Sequence, residues 1–196
     1  MNLFRTLSGA ALLLLSGASL SSCLQAPDYP IEPKIDFKEV RVVHIPAGVE
    51  DPVEELTFVL DFRDGDGDLG LSQEDIKTAP YNQPPRPPVP QRGHATNEYN
   101  YFIQPFLKDP ATGQFVSFTT PPPFGKLGQY DGTFLRLDGE NAKPSPLKGQ
   151  LNYLLPLSLD GTVYKAGQVF RFEITIVDRA LNVSNTVTTS EVTLGK

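Results

Sequence analysis

A single cysteine, Cys23, and no tryptophan occur in a chain of 196 residues that has only two histidines. With one thiol the chain forms no internal disulfide and no thiolate zinc cluster, so nothing covalent staples its fold. His44 and His94 stand in no recognisable nucleophile or metal-ligand motif, which argues against an enzyme. Lack of tryptophan removes a common stacking platform for sugars and leaves Tyr99, Tyr101, Tyr130 and Tyr153 as the candidates to replace it. Long apolar runs are missing too. The stretch through Ala11, Leu12, Leu13, Leu14 and Leu15 is too short to cross a bilayer as a helix, and no apolar pattern of period 3.6 or fixed-period repeat follows. Basic residues number 17 against 23 acidic, a formal charge of −6. That balance argues against nucleic acid and against electrostatic docking on anionic lipid.

The first residues have the layout of a targeting segment: a short region ending at Arg5, the apolar stretch, then small residues before Cys23. Leu20-Ser21-Ser22-Cys23 resembles the lipobox of bacterial lipoproteins, a likeness that covers residues 1–23 only. It implies a thiol that takes a diacylglycerol, cleavage just before it, and acylation of the new amino group. At roughly 0.8 kcal/mol per buried methylene, two or three acyl chains anchor a protein far more firmly than one. An ordinary secretory signal with an incidental cysteine is the alternative. The next segment, "LQAPDYPIEPK", spaces Pro27, Pro30 and Pro33 as an extended, stalk-like chain would. The expected organisation is a signal peptide over 1–22, a lipidated cysteine and linker over 23–34, and one folded domain over 35–196.

From residue 35 onward the punctuation is that of strands. In "ELTFVLDF", Leu56, Phe58, Leu60 and Phe62 alternate with Thr57, Val59 and Asp61; in "VFRFEITIVD", Phe170, Phe172, Ile174 and Ile176 alternate with Arg171, Glu173, Thr175 and Val177. Each pattern buries one face. Weaker strand candidates cover 35–45, 97–107, 114–119, 133–137, 149–157 and 183–194, separated by turn signals such as Asp131-Gly132 and Asp160-Gly161. Seven or eight short strands predict an all-β, antiparallel sandwich of two sheets. Twelve phenylalanines and seven tyrosines supply its core. The proline-rich stretch 76–96 reads as a stiff exposed flap, with "PPRPP" as a conceivable polyproline ligand.

The C-terminal "VFRFEITIVDRALNVSNTVTTSEVTL" resembles the last two strands of bacterial immunoglobulin-like domains, where a strand ends in Asp, turns briefly and returns as a Ser/Thr-rich strand. Together with the lipobox-like segment and the acidic turn described next, the chain looks like a lipoprotein of the gram-negative outer membrane that carries an immunoglobulin-like sandwich. The resemblance implies no established reaction. It leaves open which face of the membrane carries the protein.

"FRDGDGDLGLSQED" concentrates Asp64, Asp66, Asp68, Glu74 and Asp75 within fourteen positions. Asp64-x-Asp66-x-Asp68 resembles the first half of calcium loops of the EF-hand and related kinds, in which alternate carboxylates wrap a hard cation. On that likeness Leu71 takes the apolar position and Asp75 stands where a bidentate glutamate is expected. Gly70 falls one position late, and a strand rather than a helix precedes the loop. Three carboxylates about 5 Å apart repel by roughly 0.8 kcal/mol per pair even at the dielectric of water, and a divalent cation reverses that cost. A bare solvated turn, with Asp side chains capping nearby amides, is the competing reading. Magnesium suits the cluster less well, because it prefers few carboxylates and several waters. If the two clear strands are the second and sixth of an immunoglobulin-like order, they run the same way and Asp178 and Asn182 approach the loop; Asp178 is then an extra ligand. The acids gather in a turn, not as a separated glycosidase pair. Two functions remain in view: a structural or adhesive accessory module of the envelope with a calcium-stiffened end, or a ligand-binding lipoprotein that captures glycan or peptide in an aromatic-lined groove beside the flap.

Overall fold

Alternation of apolar and polar residues builds the two central strands as the sequence predicts. In the computed structural model, which describes residues 27–120, 122–139 and 142–196, the eight strands are β1 Lys34–Ile45, β2 Val53–Asp64, β3 Tyr101–Lys108, β4 Phe115–Ser117, β5 Leu147–Ser158, β6 Val169–Ile176, β7 Val187–Thr188 and β8 Val192–Thr193. One sheet has the order β1-β2-β5; the other has the order β4-β3-β6-β7, with β8 also paired to β6. Every pairing is antiparallel. Sending the first, second and fifth strands to one sheet and the third, fourth and sixth onward to the other is the order of an immunoglobulin-like sandwich.

The sheets meet through the residues that alternation marked. Leu56, Phe58, Leu60 and Phe62 from β2 share one core with Phe170, Phe172, Ile174 and Ile176 from β6, Tyr101 and Ile103 from β3, and Leu151, Leu155 and Leu157 from β5. Phe58 meets Phe172 edge to face, ring centres 4.8 Å apart, the arrangement aromatic quadrupoles favour. Among the described residues no helix is long and apolar enough to cross a membrane. Cys23 and the signal-like segment lie outside the described residues.

Three expectations change. Residues 133–137 form no strand. Their pairing is limited to an isolated parallel bridge between Leu71 and Leu135, because Phe134 carbonyl oxygen accepts the Leu71 amide at 3.1 Å and spends the segment on the acidic loop. Residues 183–194 do not run as one strand; β7 and β8 are two residues each. Here side-chain hydroxyls take over the ladder. Ser184 Oγ accepts the Ile176 amide and Thr189 Oγ1 the Phe172 amide, both at 3.0 Å, and each hydroxyl donates to the carbonyl of the following residue. Such side-chain bonding competes with regular sheet pairing.

The proline-rich stretch is not a free flap. Val89, 2% exposed, packs with Phe102 and Val177 on the outer face of the second sheet, while Pro84, Arg86, Pro87 and Pro88 stay accessible. A second fastening is ionic. Buried Asp131 accepts the Ile103 amide through Oδ1 at 2.9 Å, and its Oδ2 lies 3.1 Å from Arg92 Nε and 2.8 Å from His94 Nε2. His94 stacks on Tyr99 at 3.7 Å. Asp131→Ala leaves Arg92 and His94 without their carboxylate and the Ile103 amide without its acceptor. We expect it to destabilise the fold by about 3–5 kcal/mol, the range for breaking a buried pair, measured as a lowered urea midpoint; a loss under 1 kcal/mol, the range of an exposed pair, would show that this anchor does not hold the insertion.

Candidate metal centre

The core-facing phase of β2 does not stop at Phe62. Two residues further on, Asp64 occupies the next inward position with no exposed surface. In the same way Asp178 follows Ile174 and Ile176 in the inward phase of β6 and is 2% exposed. Phe58 and Phe172 touch across the sandwich, and each acid lies six residues beyond its phenylalanine. Two strands running the same way therefore deliver both carboxylates to one end, and Asp178 comes to the acidic loop as the topology predicts.

Between Asp64 and Asp68 the chain turns tightly. Asp68 amide donates to Asp64 Oδ2 at 3.0 Å. Gly67 has φ +71, and a Cβ there would lie 2.3 Å from the Ser145 carbonyl oxygen; the left-handed backbone and the close approach both require glycine. The turn after β6 folds back in turn. Asp178 Oδ1 accepts the Asn182 amide at 2.7 Å, its Oδ2 accepts Asn182 Nδ2 at 2.9 Å, and Leu181 is held in the left-handed region at φ 67. Asp68 Oδ2 accepts the Ala180 amide at 2.9 Å. Asp64, Asp66, Asp68 and Asp178 thus present carboxylate oxygens that all lie within 4.8 Å of one another. Asp64 Oδ1, Asp66 Oδ1 and Asp68 Oδ1 are buried without a hydrogen-bond partner.

Orphaned buried acceptors are rare because each forfeits its hydration. Burial pushes the Asp64 carboxyl up to about 7, with the charges of Asp66, Asp68 and Asp178 adding to it. Burial likewise raises Asp178 to about 6, assisted by Asp68 and Asp66 and opposed by the bonds from Asn182. Asp68 is raised by burial and by Asp66, against the Arg179 charge. Four mutually repelling carboxylates with vacant lone pairs match the donor set of a hard divalent cation, and the cluster could hold a metal ion.

Asp75, the remaining acid expected as a ligand, is not part of this group. Its Oδ2 accepts the Ser72 amide at 2.7 Å while its own amide donates to Ser72 Oγ at 3.0 Å. This reciprocal pair closes the bend that leads into a single 3₁₀ turn over Asp75–Lys77. Glu74 pairs with Lys77 on the surface. A helical second half of the loop would have swung Asp75 back toward the other carboxylates; here Leu71 is tied by its bridge to Leu135 and the chain leads away from them.

Arg179 was not singled out by the sequence, yet it braces the site. Its amide donates to the Asp68 carbonyl at 3.2 Å and its carbonyl accepts the Tyr81 hydroxyl at 2.7 Å. Its guanidinium reaches the Leu69 and Gly70 carbonyls at 3.3 and 3.2 Å and grips both oxygens of Asp138 at 2.9 and 2.6 Å. Although partial burial acts the other way, the bonds from Arg136 and Arg179 hold the Asp138 carboxyl far below the usual range. Its position directly after Asp178 was the only signal in the sequence. The histidines serve elsewhere: His44 Nδ1 lies 2.6 Å from Glu54 Oε1, and His94 lies against Asp131. Compared with protein-family models, with curated proteins and with solved structures, the chain matches none.

The raised carboxyls make the metal-free protein sensitive to pH. Asp64 titrates near 3.8 in an unfolded chain and at about 7 in the folded one, so over that interval the folded state binds more protons and its stability falls as pH rises. In chelator, the urea midpoint should be lower at pH 8 than at pH 5, and Asp64→Asn should flatten the difference. Identical midpoints for the parent at both pH values would contradict a buried, repelling cluster.

Proposed function

We propose that this chain is a lipid-anchored protein of the cell envelope, in the outer membrane, whose sandwich is a non-catalytic structural or interaction module holding calcium between the 64–68 loop and the 178–182 turn. The observation that carries the ion is Asp64 Oδ1: a fully buried carboxylate oxygen without a partner, facing three further carboxylates. A cation satisfies all of them at once. Calcium fits better than magnesium, which keeps several waters and takes one or two carboxylates, and better than zinc, which favours nitrogen and sulfur. Backbone carbonyls and water would complete its six to eight oxygens.

The anchor is supported by Leu20-Ser21-Ser22-Cys23 and by the proline-spaced segment after it. A structural rather than catalytic role is supported by the histidines, each committed to a carboxylate outside the cluster. The tyrosines that were candidates for a sugar platform are also committed. Tyr101 and Tyr130 are buried, Tyr153 stacks on Tyr101 with centres 4.4 Å apart, and Tyr99 stacks on His94. A gap that does border the insertion, at Arg92, Phe118 and Tyr130, holds only about 10 Å³, while the open cleft of about 750 Å³ next to the acidic loop is walled by Leu71, Ser72, Glu74, Leu135, Arg136 and neighbours, with no aromatic residue. That wall favours the structural module over capture of glycan or peptide.

Calcium titrated into the metal-stripped protein should raise the unfolding free energy by roughly 2.7 kcal/mol at a hundredfold excess over its dissociation constant, several degrees in Tm for a domain of this size. The triple substitution Asp64→Asn, Asp66→Asn, Asp68→Asn should abolish the rise. An unchanged Tm in the parent protein would return the loop to a bare turn. For the anchor, Cys23→Ser should move the protein from the membrane fraction to the soluble fraction on expression in a gram-negative host; equal partitioning of both forms would remove lipidation from the proposal.

A further inference from the structure

The root of the N-terminal leader lies against the acidic loop and is bonded to the segment that follows the Asp178 turn. Gly65, between the first two acids of the loop, has no room for a side chain: a Cβ there would lie 2.4 Å from the Tyr29 carbonyl oxygen and 2.6 Å from that of Pro30. The leader backbone therefore lies directly on the loop. Asn185, seven residues past Asp178, holds the leader from the other side. Its Oδ1 accepts the Ile35 amide at 2.9 Å and its Nδ2 donates to the Ile35 carbonyl at 2.8 Å. The side chain thereby imitates a neighbouring strand at the point where β1 begins, beside the end of β2, with Ile35 opposite Phe62. Ile35 is fully buried, whereas Pro30, Ile31 and Glu32 before it are exposed. One contact comes from the segment carrying Asp64, Asp66 and Asp68, the other from the segment carrying Asp178.

We propose that ion binding at the cluster locks the root of the leader, residues 29–35, so that occupancy decides whether the sandwich is held at a fixed angle to its N-terminal attachment or swings about it. This rests on reading the cluster as an ion site. The mechanism is electrostatic. Without a cation, four carboxylates whose oxygens lie within 4.8 Å drive the loop and the turn apart, and the two contacts on the leader separate with them. A divalent charge between them draws both segments to one centre and closes the clasp.

Hydrogen exchange of the whole chain in detergent, in chelator and then in calcium chloride, tests this. Exchange of the Ile35 and Asp36 amides, bonded to Asn185 and within β1, should slow by about tenfold or more with calcium, as expected when a local opening is suppressed, and the triple Asn variant should show no slowing. If calcium slows residues 64–71 and 178–182 but leaves 29–36 unchanged, the ion site stands and the clasp is overturned. If calcium changes nothing anywhere, the ion reading itself fails and takes the clasp with it. Asn185→Ala keeps all four carboxylates and separates the two contacts. By reciprocity it should bind calcium up to about tenfold more weakly than the parent by titration calorimetry while losing the calcium-dependent slowing at Ile35; full retention of that slowing would overturn the two-sided clasp.

Discussion

Two carboxylates placed where the core pattern calls for apolar side chains set the terms for one end of this sandwich. Asp64 and Asp178 continue the inward phases of β2 and β6, and same-direction strands bring them together. Among the described residues no ion pair joins either acid to a cation; the guanidinium of Arg179, which follows Asp178 in the chain, is directed at Asp138. Isolated buried charge is expensive enough that proteins neutralise it, by a proton or by a partner. The local architecture follows from that need. Glycines at 65, 67 and 70 admit three neighbouring backbones at distances no side chain would allow, and the amides of Asp68, Ala180 and Asn182 take up part of the carboxylate capacity.

The opposite end shows what the same strand does without convergence. Glu54 also occupies an inward position of β2 and has no exposed surface. It stands four residues before Phe58, and the residue four before Phe172 is Gln168. Where the Asp64 end finds a second carboxylate, the Glu54 end finds a neutral amide whose Oε1 accepts the Lys165 backbone. Glu54 is met on Oε1 alone, by His44 Nδ1 at 2.6 Å and the Gly195 amide at 3.1 Å, and its Oε2 is buried without a hydrogen-bond partner. A lone buried acid leaves one orphaned oxygen, whereas at the other end four acids bring carboxylate oxygens within 4.8 Å of one another and leave three of them orphaned. That convergence, more than burial alone, marks one end as the candidate ion site.

Legibility in the sequence followed the range of the interaction. The alternation in β2 and β6 is set by neighbours two residues apart, and it gave the core residues and the sandwich directly. Asp178 could be placed beside the loop because strand order converts that local pattern into a shared direction. Asp75 could not be placed by counting, since loop spacing carries over only if the following backbone is helical, and Ser72 captures Asp75 in a reciprocal pair instead. The return segment 183–194 reads as a β-rich run, but its serine and threonine hydroxyls accept the amides that a regular strand would serve. Docking of the proline-rich insertion depends on single residues, Val89 in an apolar gap and Asp131 beneath Arg92, with no periodic signature. The Arg179 to Asp138 clamp joins residues 41 apart, a distance at which pattern carries no information.

An apolar substitute for Asp64 and Asp178 would stabilise this end under all conditions, since replacing buried charge with well-packed hydrophobic groups is often neutral or favourable. Carboxylates make the stability of that end conditional. On the proposed calcium reading, the metal-free loop and turn repel, and the strands that carry them lose part of their reason to meet; with calcium bound the same charges draw the loop of one sheet toward the turn of the other. Under the calcium reading, the acids postpone completion of one end of the sandwich until the ion is bound, and the cost of burying them is what makes folding of that end depend on it.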